Sequence, residues 1–306
     1  MQAGGRNIML SGRAIRTARI DGDQYRFIED PEPIVAELRR SGRRVDLFTF
    51  MQRLPDSAPR YSYPMEWDNL AVIHVKSFDH WWNEQIGFKA RNKAKQAEKK
   101  GVILREVQFD DSLAQGIVDI YNESPVRQGR AFFNYGKTLE TVRRQASTFL
   151  ESSLFIGAFL EEKLIGFVKL TADETGTQAG LMHIISMIEH RDKAPTNALI
   201  ARAVRACSER GIRYLVYANF AYGNKKRDSL SDFKERNGFQ RINLPRYYIP
   251  LNSVGQVALR LGLHRKLSDY VPEAVINTFR EYRAAWYKRK YGPSGTVQCG
   301  KADSAT

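Results

Sequence analysis

The sequence is poor in cysteine, with two in 306 residues. Cys207 sits beside Ala203 and Ala206 in an apolar helical pattern, and Cys299 lies in a polar tail. Two cysteines so placed exclude a disulfide framework and a thiolate zinc site, so no metal is expected. Long apolar runs are missing too. The longest, such as residues 154–160, fall far short of the ~20 residues that cross a bilayer. Residues 1–11 lack the apolar stretch of a signal peptide. The expectation is a cytoplasmic protein, at most peripheral at the inner face of the membrane. Acid is in deficit: 34 Asp and Glu against 48 Lys and Arg leave a net charge of +14. That balance favours anionic partners, namely a nucleic acid such as tRNA, an anionic membrane surface or a polyphosphate ligand. Aromatics are plentiful, with 16 Phe, 14 Tyr and 4 Trp among 42% hydrophobic residues. Such a chain buries a core, which excludes global disorder.

The hydrophobic pattern orders the chain. Residues 1–12 are Gly-rich and read as loose. Ile34, Val35 and Leu38 form a short helix after Pro31 and Pro33, stopped near Gly42. Residues 45–50 read as a strand, the Pro-bearing stretch 53–69 as a loop, 70–76 as a strand and 78–86 as a helix broken at Gly87. A helix at 89–100 carries Lys89, Arg91, Lys93, Lys95, Lys99 and Lys100 against the single acid Glu98. Its Ala90, Ala94 and Ala97 share one face, a small-residue stripe suited to close packing. A strand follows at 102–107, then a helix at 112–121, a loop at 124–137 and a helix at 138–150. Three strands come in succession at 154–160, 163–171 and 178–188. A helix opens at Pro195, a strand covers 214–217, a helix 229–236, and the last strands 239–249. The tail 251–291 returns to helix, with Val275, Phe279, Tyr282 and Trp286 on one side, and 292–306 read as disordered.

This order is neither a repeating βαβ wheel nor an all-β sandwich. It is similar to the fold of the GCN5-related N-acetyltransferases (GNAT), an α/β mixed sheet. Trp81-Trp82, Lys89-Ala90-Arg91-Asn92 and Ala97-Glu98-Lys99-Lys100-Gly101-Val102 resemble the entry to the core of FemAB-type transferases and of BioF2-like acetyltransferases. Phe155-Ile156-Gly157-Ala158-Phe159 with Leu164-Ile165-Gly166-Phe167 resembles the central hairpin of that fold. The strand from Met182 into the helix at Pro195, and Phe233-Lys234 ahead of Gly238-Phe239, are similar to further marks of the group. The resemblance covers residues 81–250. It implies a GNAT-like acyltransferase fold with a reduced N-terminal half at 13–87, a core at 88–250, a C-terminal helical extension at 251–291 and a tail at 292–306.

In that fold two parallel strands splay apart, the pantetheine arm of acyl-CoA enters the gap, and the pyrophosphate meets the start of the next helix, where N–H groups are unsatisfied. The resemblance places cofactor contacts at Met187, Ile188, Arg191, Lys193, Thr196 and Asn197, with Asn219 bridging from the next strand. The family pattern has two glycines here; this chain has Ala194 and Thr196, and Pro195 donates no N–H. Arg191 and Lys193 would then meet phosphate through side chains. Acyl transfer to an amine needs a base, and Glu189 and His190 at the strand end are candidates, with His183 inside the strand as another. The acid for the leaving thiolate is expected at Tyr222, with Tyr217 as runner-up. Arg127, Arg130, Phe133 and Tyr135 make the loop over the acceptor aromatic and basic, suited to an anionic small molecule or glycan precursor.

Three activities follow as expectations. The first is transfer from acyl-CoA, acetyl-CoA being the simplest, to an amine or hydroxyl of a small-molecule or glycan and cell-envelope precursor. The second keeps the fold and takes aminoacyl-tRNA as donor, as FemAB-type enzymes do; the lost glycines and the charge favour it, and the absence of a helical arm insert opposes it. The third is a non-catalytic basic module that uses 89–100 and 251–290 on RNA or an anionic membrane.

Overall fold

A computed structural model of the chain describes residues 1–127, 130–221 and 228–265, together with residues 282 and 286. The strands are β1 (Gln2–Ala3), β2 (Arg6–Ser11), β3 (Thr17–Ile20), β4 (Leu47–Met51), β5 (Met65–His74), β6 (Val102–Val107), β7 (Val126–Arg127), β8 (Arg130–Ala131), β9 (Ser153–Leu160), β10 (Lys163–Ala172), β11 (Gln178–Ser186), β12 (Tyr214–Asn219) and β13 (Gln240–Pro250). The helices are α1 (Glu32–Arg40), α2 (Phe78–His80, continuing as a wider turn over Trp81–Gln85), α3 (Phe88–Lys99), α4 (Asp111–Asn122), α5 (Leu139–Ala146), α6 (Pro195–Glu209), α7 (Ser229–Arg236) and α8 (Ser253–Arg260).

Eleven strands form one mixed sheet in the order β1-β2-β3-β4-β13-β5-β12-β11-β10-β9-β6, and β7-β8 make a separate hairpin. Only β3/β4 and β11/β12 run parallel. Helix α6 packs on β9, β10 and β11 with α3 beside it, and α4 packs on β10 with α5 against it. The small-residue stripe of α3 does what its spacing predicts. Ala90, Ala94 and Ala97 are buried against α6, while Lys89, Lys95 and Lys99 stay exposed.

The long strand β13 is the seam of the sheet. Its first part pairs with β5 and its last part with β4, so strands from the start of the chain are sewn to the core. Arg246 on β13 fixes the crossing: it donates to Asp68 at 2.5 Å and to Asp23 at 2.9 Å, all three largely shielded from solvent. The residues of this region bury a separate aromatic cluster in which Phe50 stacks on Phe48 and Tyr247 and meets Tyr61 edge-on.

Two glycines are demanded by close approach. Gly238, at φ +85°, ends α7; a Cβ there would lie 2.8 Å from Trp81 Nε1, which itself donates to Asn237 O at 3.1 Å. Two stretches that carried the resemblance therefore meet. Gly255 sits flush on the sheet, where a Cβ would lie 1.9 Å from Asp46 O.

The structure departs from the sequence-based expectations in four places. Residues 1–12 are not loose: β1 and β2 form a hairpin whose second strand pairs with β3. The strand expected from residue 70 begins at Met65, because residues 65–69, read as loop, find ladder partners at 243–247 of β13. The strand β3 lies in a stretch without a strong alternation and is made by pairing with β2 and β4. The strand expected over 178–188 ends at Ser186, and α8 supplies the first part of the expected C-terminal helix. Most of residues 266–306 lie outside the described residues.

Replacing Arg246 by Met would leave Asp23 and Asp68 without their cation. The expected loss is about 3–5 kcal/mol, read as a lower urea midpoint; an unchanged midpoint would remove Arg246 from the role of fastening the seam.

Candidate active site

The gap between β11 and β12 is built by two local faults. The strands pair in parallel at only three positions, Gln178–Tyr214, Ala179–Leu215 and Gly180–Val216. Just beyond, β11 bulges at Met182, where its register with β10 slips. Strand β12 bulges at Tyr217 and Ala218, where its register with β5 slips, and Ala218 takes φ +43°. A bulge bends its strand and strengthens the twist. Both strands turn away from each other after a shared start, and a wedge opens between residues 182–186 and 217–219.

The floor of the wedge contains a cation. Lys234 of α7 is fully buried, and its Nζ donates to Asn219 O and lies 4.6 Å from the Tyr217 ring. Burial pushes its pKa down to about 8. In the sequence Lys234 stands out only as part of the Phe233-Lys234 signature. The signal available was a lysine three residues after Ser231 on the one buried face of a short helix.

The exit of β11 is held by a carboxylate that the sequence reading did not single out. Glu123, at the end of α4, accepts from Ile188 N at 2.7 Å, from Glu189 N at 2.8 Å and from Arg127 at 2.9 Å. Arg127 also donates to Ser186 O and Ile120 O, both at 2.7 Å. Met187 is buried and donates from its N–H to Ile165 O at 2.8 Å. The backbone donors of Met187, Ile188 and Glu189 are thus all engaged inside the protein. Arg127, expected at the acceptor, is turned inward and serves the strand.

At the start of α6, Ala194 adopts φ +54° and ψ +41°, and no side chain caps the helix. The alanine therefore takes the left-handed conformation for which the family pattern has glycine. Thr196 is bonded to Ser186 by their hydroxyls at 2.8 Å, and Asn197 donates to Asn237 Oδ1 at 3.0 Å. Both tie α6 to its neighbours. Arg191 is exposed. Asp192 is gripped by α3: Lys100 donates to its carboxylate at 3.0 Å and its carbonyl at 3.1 Å, and Gln96 to the same carbonyl at 3.0 Å. Lys193 lies 3.5 Å from Asp192.

Of the three expected catalytic residues, Glu189 is exposed and 3.9 Å from Lys163, and the His190 ring is mostly buried, with Nε2 4.0 Å from Glu189. Tyr222 lies outside the described residues, as does the basic cluster 225–227. His183 lies opposite Lys169 on β10. Burial, with Lys169 and Lys137 nearby, pushes its pKa down to about 4, so its imidazole is neutral at pH 7. Lys169 is buried and caps α5, donating to Ala146 O at 2.8 Å and to Thr148 O. In the acceptor loop Arg130, Phe133 and Tyr135 are exposed, Phe133 at 87%. Lys137 sits 4.7 Å over the Phe133 ring and 5.9 Å over that of Tyr121. Among the described residues no group of His, Cys, Asp and Glu is placed to hold a metal ion. No helix among them is long and apolar enough to cross a membrane.

This is a GNAT-like fold of the FemAB type. The chain matches FemX at 10% identity over 84% of this chain and 86% of that one, with a TM-score of 0.55. It also matches the L-PGS of Bacillus licheniformis, at 13% identity over 82% and 83% with a TM-score of 0.53. The C-terminal domain of an Agrobacterium fabrum protein described as a lysylphosphatidylglycerol synthetase matches at 12% over 82% and 83%, with a TM-score of 0.54. No family model matches the chain, and no curated protein matches its sequence.

Lys234 supplies a pH test. Its folded pKa, about 8, lies below its ordinary 10.5. The folded state therefore binds fewer protons than the unfolded state between those values, and stability rises with pH across that window. The cost of burial is fully present below pH 8. Against Lys234→Met, wild type should gain about 3 kcal/mol on going from pH 7 to above 10. Urea melts of both proteins at the two pH values measure this; a constant difference between them sinks it.

Proposed function

We propose that the protein is an acyltransferase that moves an acyl group from acyl-CoA to an amine or hydroxyl of a small-molecule or glycan precursor. The observation that carries this is the wedge between β11 and β12, which opens onto an α6 N-terminus with no side-chain cap and the left-handed turn at Ala194. The acyl thioester would lie in the wedge, with its carbonyl near the field of Lys234. The developing oxyanion is stabilised by fixed positive charge. The acceptor nitrogen attacks the carbonyl carbon, the C–S bond breaks, and the thiolate leaves. His183, already neutral, is the candidate to take the acceptor's proton from the face covered by α4 and α5; Glu189 remains the candidate reached through water. Arg191 and Lys193 would hold the phosphates, replacing backbone donors by guanidinium and ammonium.

One observation favours a second reading, in which the donor is aminoacyl-tRNA. The N–H groups of Ile188 and Glu189 are occupied by Glu123, so β11 offers fewer backbone donors to a pantetheine arm. The exposed Lys89, Lys95 and Lys99 of α3, on the helix that grips the α6 entry, would meet the tRNA phosphates.

Thermal melting separates the two. Acetyl-CoA at about 100 times its Kd should stabilise the native state by about 2.7 kcal/mol, with Arg191→Ala weakening the shift and Lys234→Met keeping it while turnover is lost. If acetyl-CoA and CoA leave the melting temperature unchanged at millimolar concentration, the first reading fails. A shift by bulk tRNA that vanishes at high salt would then favour the second.

A further inference from the structure

A groove of about 680 Å³ lies between α2, α3, α6 and the edge strand β6, three strands away from β11 and the wedge. Small side chains make its floor. Ala94 of α3 and Ala198 and Ala201 of α6 are buried where the two helices meet. Val102 and Leu104 of β6 close one end. Phe78 and Trp82 form a wall, their rings stacked at 5.6 Å and 23°. That wall is fixed before any ligand arrives. Ser77 caps α2 by accepting from His80 N at 3.0 Å, and Phe78 N donates to Ser208 Oγ of α6 at 3.1 Å. An apolar floor, an aromatic wall and a volume of this size are the features of a small-molecule site.

The charges at the rim say what the groove takes. Five charged residues reach it. Arg202 is engaged, donating to Glu106 at 2.8 Å and to Glu209 at 3.1 Å. The other four, Asp79, Lys95, Glu98 and Arg205, form no ion pair among the described residues. Each side has one of each sign. On α3, Glu98 follows Lys95 by three residues and shares its face, and Lys95 Nζ stands 6.0 Å over the Trp82 ring. Across the groove, Arg205 lies 3.7 Å over the Phe78 ring, and Asp79 follows Phe78 in the chain. A guanidinium stacked on a ring keeps its N–H edge for a carboxylate. An anion alone would face two carboxylates, and a cation alone two cations. A zwitterion with an apolar body satisfies both signs. The adjacent charges of an α-amino acid suit a cation and an acid that converge on one residue, Phe78.

We propose that this groove binds a free aromatic α-amino acid, its ring against Trp82, its carboxylate on Arg205 and its ammonium group on Asp79. The proposal stands apart from the donor and from the chemistry at the wedge. The groove shares α3 with the grip on the α6 entry, where Gln96 and Lys100 hold Asp192.

The test titrates the full chain with L-phenylalanine and follows tryptophan emission, excited where phenylalanine does not absorb. The emission should change and saturate with a Kd of about 1 mM or tighter. Trp82→Phe should lose that change while calorimetry still finds binding. N-Acetyl-L-phenylalaninamide, which carries no charge, and phenylacetate and phenethylamine, which carry one each, should bind at least about tenfold more weakly. Arg205→Gln and Asp79→Asn should each weaken binding of L-phenylalanine by at least about tenfold, with unchanged melting temperatures because both residues are exposed. No saturable binding of L-phenylalanine by calorimetry overturns the proposal. Equal binding of the uncharged analogue overturns it too, as does undiminished binding by the two charge variants.

Discussion

The separation of β11 from β12 is the constraint on which the rest of the site depends. A parallel pair inside a sheet has every reason to continue, since each further residue adds ladder bonds. Here it stops after three positions because Met182 bulges on one strand and Tyr217–Ala218 on the other. The broken ladder leaves polar backbone to be satisfied by other means, and the surroundings show how. On one side Glu123 and Ile165 take the N–H groups at the end of β11. On the other, Lys234 donates to Asn219 O. The wedge is thus kept open by side chains recruited from α4 and α7.

Those recruits explain why polar groups are buried in an otherwise apolar core. Glu123 and Arg127 neutralise each other while each serves the backbone, which is the condition under which charges are tolerated inside. Burial lowers the pKa values of Lys234 and Lys169 to about 8. Lys169, which caps the C-terminal carbonyls of α5, has the structural role in plain view.

The N-terminal strands give the core its support. Strand β5 lies between β13 and β12, so the wall of the wedge on the β12 side is backed by a segment from early in the chain. Loss of the Arg246 crossing would loosen that wall without touching the wedge itself. At the far end of β13, α8 is pressed onto Asp46 and presents its aliphatic strip outward.

Local chemistry determined much of this architecture by itself. The alanine stripe of α3, the apolar runs of β9 and β10, the start of α6 at Pro195 and the span of α7 are each legible because period and breaker residues act over a few neighbours. The GNAT-like order, and with it the place of the wedge, follows from those elements. Tertiary structure decided the rest, for reasons that act across long sequence distances. Residues 65–69, which include Glu66, Asp68 and Asn69, become strand because β13 offers a partner. Arg127 has the look of a ligand-binding arginine and is drawn inward by Glu123 and Ser186 O. Ala194 adopts the turn reserved for glycine because the chain on both sides is held, by Lys100 and Gln96 on Asp192 and by Thr196 on Ser186. Side-chain direction and the energy of a bulge are set by what packs around them, and no local pattern in the sequence encodes that.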